Sequence, residues 1–324
     1  MGLLEVGKGC GRGCRFCMEG EIYRPVRHRH VEAIVRGAER LLAGGKRIGL
    51  VGACVSDYPW IDRLAGALRE KGVEISLSSV RADSLSPALV RALVESGTRT
   101  LTFAPEAGTE RLRRVIHKQL SDRQLFEAVE LLAESGVPSV KTYFMIGLPT
   151  ETPEDVDGIL ELARGVRHRI LEGRRDARRA VEITVGVSSF VPKPWTAFQW
   201  CGMAGVKGLE GSIARLRREL RKVGIHFTHD VPKWAYLQGV LARGDRRVGE
   251  LLEMALRERG DWRAAYRAWS RDPDFYACRE RPLDERFPWD HFEVGTRRDR
   301  LESEYQRAMG LLPERTVRWK GVSA

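Results

Sequence analysis

Three of the chain's six cysteines fall within eight residues, as Cys10-x-x-x-Cys14-x-x-Cys17; Cys54, Cys201 and Cys278 stand alone. Secreted disulfide proteins are usually short and much richer in cysteine, so this clustering favours a metal over cross-links. Three thiolates in a glycine-rich loop can hold three irons of a cubane cluster and leave the fourth iron open. Gly9, Gly11 and Gly13 let the chain wrap around a bulky group and free backbone N–H groups for its sulfurs. Zinc is the competing metal. It usually takes four protein ligands, and the fourth would have to come from His28, His30 or a distant cysteine.

The elements that must position this loop follow from periodicity. Short apolar runs at 3–6, 48–51, 73–77, 100–103, 140–146 and 182–190 read as strands. Amphipathic helices are expected at 31–43, 61–69, from Ser86-Pro87 to about 95, at 121–134 with Ser121 as cap, and at 154–166. Six strand–helix units in this order imply an α/β fold with parallel strands and right-handed crossovers, a partial (β/α)6 TIM-like barrel. In such a barrel the chemistry sits at the C-terminal strand ends. Gly9-Cys10-Gly11-Arg12-Gly13 only superficially resembles a dinucleotide-binding turn, because no helix follows it directly. From about residue 201 the pattern becomes mainly helical, with stretches at 209–223, 232–243, 247–259 and 261–270 and a short seventh strand at 225–228. Five tryptophans lie beyond Trp200, which suggests an aromatic-cored, substrate-related extension over 201–324 behind a core over 1–200.

Across 324 residues the composition is 43% hydrophobic and 31% charged, that of a folded chain, and the net charge of +11 attracts phosphate-bearing partners, nucleic acid included. An arginine-rich surface without a ligand gives the same number. The charge-dense stretch at 165–180 reads either as a solvated helix end or as a phosphate contact. No apolar run has transmembrane length and the first residues lack a signal-peptide pattern, so no membrane association and a cytoplasmic location are expected.

The spacing Cys10-x-x-x-Cys14-x-Phe16-Cys17 resembles that of radical S-adenosylmethionine (radical SAM) enzymes. The resemblance implies a 4Fe-4S cluster on the three cysteines, with Phe16 at the motif's aromatic position. It also implies S-adenosyl-L-methionine bound at the open iron and cleaved reductively to a 5′-deoxyadenosyl radical. The later strand ends fit the same likeness. Gly52 resembles the turn for the SAM amino group, without its usual acidic end. Ser79 and Arg81 look like ribose and carboxylate contacts, and arginine clamps a carboxylate with two parallel hydrogen bonds. Glu106, in Glu106-Ala107-Gly108, would meet the ammonium or ribose. Met145, Ile146 and Gly147 resemble the adenine-side segment, and Pro192, in Pro192-Lys193-Pro194, a loop lining the site. Glu21-Ile22-Tyr23-Arg24-Pro25, Gly244-Asp245-Arg246-Arg247 and Pro288-Trp289-Asp290-His291 resemble a poorly characterised radical SAM group whose usual members carry a cobalamin-binding domain before the core. Only nine residues precede Cys10, so cobalamin is expected only if a separate cobalamin-binding protein supplies it.

Three functions compete. The first is a radical SAM enzyme acting on a macromolecule, with RNA favoured by charge and by similarity to methylthiotransferases. The second is such an enzyme acting on a small molecule, including cobalamin-assisted methyl transfer. The third is a non-catalytic iron–sulfur protein that binds RNA or carries electrons. The first two need an electron donor, a reductase or a flavodoxin or ferredoxin.

Overall fold

A computed structural model describes residues 1–42, 45–173 and 181–314. Its parallel strands are β1 (Gly2–Glu5), β4 (Arg47–Val51), β5 (Glu74–Ser76), β6 (Thr100–Glu106), β7 (Ser139–Ile146), β8 (Glu182–Ser189) and β9 (His226–His229); the short β2 (Gly7–Lys8) and β3 (Arg27–His28) pair antiparallel. The parallel strands run β1-β4-β5 and β6-β7-β8-β9. A single parallel bridge, Val80 to Phe103, joins the two groups, with the Val80 N–H donating to the Thr102 carbonyl at 2.9 Å. The result is the expected partial barrel, extended by β9 as a seventh parallel strand.

Two strand boundaries depart from the periodicity. β6 runs three residues past the expected end, through Ala104-Pro105-Glu106, after a register shift between Phe103 and Glu106. Pro105 lacks the N–H a regular ladder needs, so the strand continues only as a bulge. β5 is short because the chain turns before Val80 meets β6. The helix expected at 154–166 extends over Pro153–Gly173, with Val166 and Ile170 buried beneath its arginines. The first part of the charge-dense stretch is therefore a helix end; residues 174–180 lie outside the described residues.

Strand alternation decides where the core lies. Ile48, Leu50, Phe103, Val140, Phe144, Ile146, Val185 and Val187 point outward and are buried under the helices. The opposite face, which a closed barrel fills with side chains, is open here, and Val51 and Tyr143 on it are exposed. Tyr143 lies across β8 at Gly186, where a Cβ would come within 2.7 Å of its ring. The helix Val206–Lys222 packs Leu209, Ile213, Leu216 and Leu220 into the barrel's main core. Beyond it, Val240, Val248, Leu251, Ala265, Trp269 and Tyr276 form a separate apolar cluster. Among the described residues no helix is long and apolar enough to cross a membrane.

Candidate active site around the cysteine loop

The loop leaves β1 and returns through the β2–β3 clasp, in which Gly7 pairs with His28 and Lys8 with Arg27. Gly9 is obligatory at its mouth. Its φ is +82°, and a Cβ there would sit 2.2 Å from the Tyr23 carbonyl oxygen. Two arginines inside the cysteine spacing pin the loop to its surroundings. Arg12 donates to both oxygens of Asp57, at 2.7 and 2.6 Å, and to Asp83 at 3.0 Å, tying the loop to the turns after β4 and β5. Arg15 is buried and donates to the Val115 carbonyl at 2.9 Å, to Glu304 at 3.1 Å and to Glu314 at 2.8 and 2.7 Å. Its backbone N–H reaches the Ile116 carbonyl at 3.0 Å. Composition gives no sign of these anchors; their position between the cysteines is the one signal that could have found them.

The three thiols stand close enough to sense one another's charge. Burial pushes the Cys14 thiol up to about 11, against the pull of Lys118 and Arg81. Burial also raises Cys17, opposed by the backbone N–H groups of Glu19 and Gly20. Lys193 is lowered by burial, with Cys17 holding it up. Burial thus favours the neutral thiol at Cys14 and Cys17, while three cations and two N–H groups stand ready to offset negative charge on sulfur. Bonding to a metal deprotonates a thiol outright, and these groups then offset the charge. That donor set fits a group bound by three thiolates. Among the described residues no three His, Cys, Asp or Glu side chains converge as a single metal ion requires.

The strand-end residues gather unequally around the loop. At Gly52 a Cβ would lie 3.3 Å from Val6 Cγ2, and Gly52, Ala53, Gly7, Lys8, Glu19 and Tyr23 enclose a cavity of about 520 Å³ between the β4 turn and the loop. Ser79 is exposed beside Val80. Arg81 does not face solvent alone: its guanidinium donates to both oxygens of Asp83 at 2.9 Å, and its N–H reaches Ser56 at 3.0 Å. Glu106 adopts φ +71° and accepts from Lys118 at 3.2 Å; burial pushes its carboxyl up while Lys118 pulls it back. Phe16 and Met145 pack on one small apolar cluster with Ala107, Leu148, Phe190 and Phe198. Ile146 does not join them. Its side chain is buried in the main core, so its backbone alone borders the strand end. Gly147 has φ +77°, donates to Glu151 at 2.8 Å, and leaves no room for a Cβ beside Ala204 and Leu209. Pro192 is buried, next to Lys193. Cys54 is pushed up to about 12 by burial and meets Ser56; Cys201 is buried, also raised to about 12, and Cys278 lies against Asp274.

Comparison with known proteins fits this arrangement. The model of the Radical SAM superfamily matches residues 4–163. An uncharacterized protein of Methanocaldococcus jannaschii is 38% identical over 257 residues, 78% of this chain and 54% of the relative. The threonylcarbamoyladenosine tRNA methylthiotransferase MtaB of Aquifex aeolicus is 25% identical over 174 residues, 50% of this chain and 42% of that protein. The chain spans about half the length of these curated relatives. In fold it is similar to the crystal structure of Streptococcus suis SuiB, with a TM-score of 0.50 and 11% identity over 70% of this chain and 48% of that one.

Proposed function

We propose, because this chain belongs to the Radical SAM superfamily, that it is an enzyme that holds a 4Fe-4S cluster on Cys10, Cys14 and Cys17 and cleaves S-adenosyl-L-methionine. When bound, the cluster supplies the electron that splits the sulfonium into methionine and a 5′-deoxyadenosyl radical. The chain's own residues bind, orient and exclude water. Arg12 and Arg15 hold the loop in place, and Lys118, Arg81 and Lys193 offset the charge of the thiolates. Phe16 and Met145 form an apolar wall against water. Gly52, Ser79, Arg81, Glu106, the backbone at Ile146 and Gly147, and Pro192 border the space for S-adenosylmethionine. The observation that carries this reading is the placement around Cys14 and Cys17 of cations from three separate segments, Arg81 after β5, Lys118 after the helix Glu110–Val115 and Lys193 after β8, which a solvent-facing loop has no need for.

RNA is the substrate class this reading favours. The net charge of +11 supports it, as does similarity to a relative whose name places its action on tRNA. Anaerobic reconstitution followed by dithionite and S-adenosylmethionine should yield 5′-deoxyadenosine. A Cys14→Ala chain should yield none. A fully loaded cluster that gives no product with dithionite, or with a flavodoxin or ferredoxin reducing system, refutes the assignment. The motif likeness to the group that usually carries a cobalamin domain makes a corrinoid the additive for a second incubation, in which methyl transfer would register as S-adenosylhomocysteine.

A further inference from the structure

A second concavity lies in the 201–324 region. Residues from 231–237 and 260–267 enclose about 620 Å³, a volume in the ligand-binding range. Val231 on its wall is two residues past His229, the end of β9. The cavity therefore sits at the C-terminal strand ends, the end from which the cysteine loop leaves β1.

Its chemistry is specific. Trp234, Trp262, Tyr236 and Tyr266 supply aromatic walls, and Trp234 is 57% exposed. Exposed indoles of this kind are characteristic of contact surfaces. The Tyr266 hydroxyl is buried without a hydrogen-bond partner, and a ligand's polar edge would satisfy it. The Tyr236 hydroxyl is already engaged, donating to Asp274. Lys233, Arg263 and Arg267 stand exposed on the wall, and none of them is ion-paired among the described residues. The acid of this wall, Asp261, accepts the backbone N–H groups of Arg263 and Ala264 at 2.9 and 3.0 Å. Aromatic faces alone would suit an ammonium ligand; three unpaired cations beside them repel one. The combination fits a planar group flanked by negative charge. Among the described residues, the cavity of about 840 Å³ beside Trp195 and Phe292 offers one unpaired cation, Arg286, rather than three, because Arg297 is paired with Asp299 and Arg298 with Asp290 and Glu302.

We propose that the cavity takes an unpaired base of a single-stranded RNA, stacked on Trp234 and its aromatic neighbours, with Lys233, Arg263 and Arg267 on the adjoining phosphates. The proposal rests on the RNA-modifying reading above and names where that substrate is gripped. Base–aromatic stacking in single-strand binders tolerates any sequence and is removed by alanine.

The test titrates the reconstituted chain into a fluorescein-labelled single-stranded RNA of about twelve nucleotides, within the usual site size. Trp234→Ala should weaken binding about 10-fold or more, and Trp234→Phe should restore most of it. Lys233→Ala/Arg263→Ala/Arg267→Ala should lower the slope of log affinity against log salt by about 2, from three phosphates at about 0.7 each. Arg36→Ala/Arg40→Ala/Arg91→Ala, on distant helices, should leave the slope nearly unchanged. Thermal unfolding of each variant checks that it is folded. Equal binding by Trp234→Ala and the unaltered chain overturns the proposal, as do equal losses in the two triple variants and equal competition by duplex RNA. Trp234-dependent capture of peptides without RNA binding also overturns it, in favour of a protein substrate. Formation of 5′-deoxyadenosine, assayed without RNA, separates the two readings. Cleavage without RNA binding sinks this inference alone, and RNA binding without cleavage sinks the enzymatic reading alone.

Discussion

Replacing Gly9 by alanine isolates what the mouth of the cysteine loop demands. Two penalties combine there. The φ of +82° costs an L-residue about 1–2 kcal/mol. The new Cβ would also lie 2.2 Å from the Tyr23 carbonyl oxygen, about 1 Å inside ordinary contact, and overpacking of this kind costs about 1–3 kcal/mol. The sum is about 2–5 kcal/mol. With an unfolding entropy of about 2.1 cal/mol/K per residue over 324 residues, each kcal/mol is worth about 1.5 °C, so the midpoint should fall by about 3–7 °C. Gly136→Ala is the matched control. Its φ is +75° with nothing within 4 Å of the added Cβ, so it should lose only about 1–3 °C. The second readout is iron per chain after reconstitution. Moving Tyr23 away from Gly9 disturbs the segment between Cys17 and β3, so Gly9→Ala should bind less iron while Gly136→Ala binds the full amount. Equal midpoints and equal iron in the two variants would refute the close-approach argument.

Further predictions follow from the charges around the loop. Arg12→Met strips Asp57 of its bidentate guanidinium, while Asp83 keeps Arg81; it should destabilise the chain by about 3 kcal/mol, and adding Asp57→Asn should recover part of that loss in thermal unfolding. Lys118→Met leaves the largely buried Glu106 carboxyl without its cation, so the loss should grow with rising pH as Glu106 ionises and be rescued by Glu106→Gln, a coupling that a double-mutant cycle reads directly. Glu151 is pushed up to about 7, mainly by burial, with the N–H groups of Gly147 and Leu148 opposing. Its folded pKa lies above the unfolded value of about 4.3, so its contribution is fully present below that value and is lost as pH rises through about 7. Glu151→Gln keeps an acceptor for Gly147 without the charge. Its midpoint should match the unaltered chain near pH 4.5 and exceed it increasingly up to pH 8; a constant difference would show that Glu151 is not titrating.

The sequence alone determined the parts written in local spacing. The cysteine triplet with Phe16, the six strands with their intervening helices, and the caps at Ser86 and Ser121 all follow from i, i+2 or i, i+4 patterns and short-range chemistry. The seventh strand at β9 was legible for the same reason. The helix Glu110–Val115 was not, although Thr109 caps it by accepting from Leu112 at 3.2 Å, because six residues are too few for a periodic signal. Only the tertiary structure decided the site's electrostatics. Arg12 reaches Asp57 and Asp83, Arg15 reaches Glu304, and Lys193 comes to Cys17, across separations of 45 to 289 residues for the hydrogen-bonded pairs Arg12–Asp57 and Arg15–Glu304. It also decided that Met145 joins Phe16 while Ile146 turns into the core, since successive side chains on a strand face opposite sides and the packing of the helices selects which side is inside. Ion pairs and shared walls depend on which strand ends the closing barrel brings together, and no local pattern encodes that.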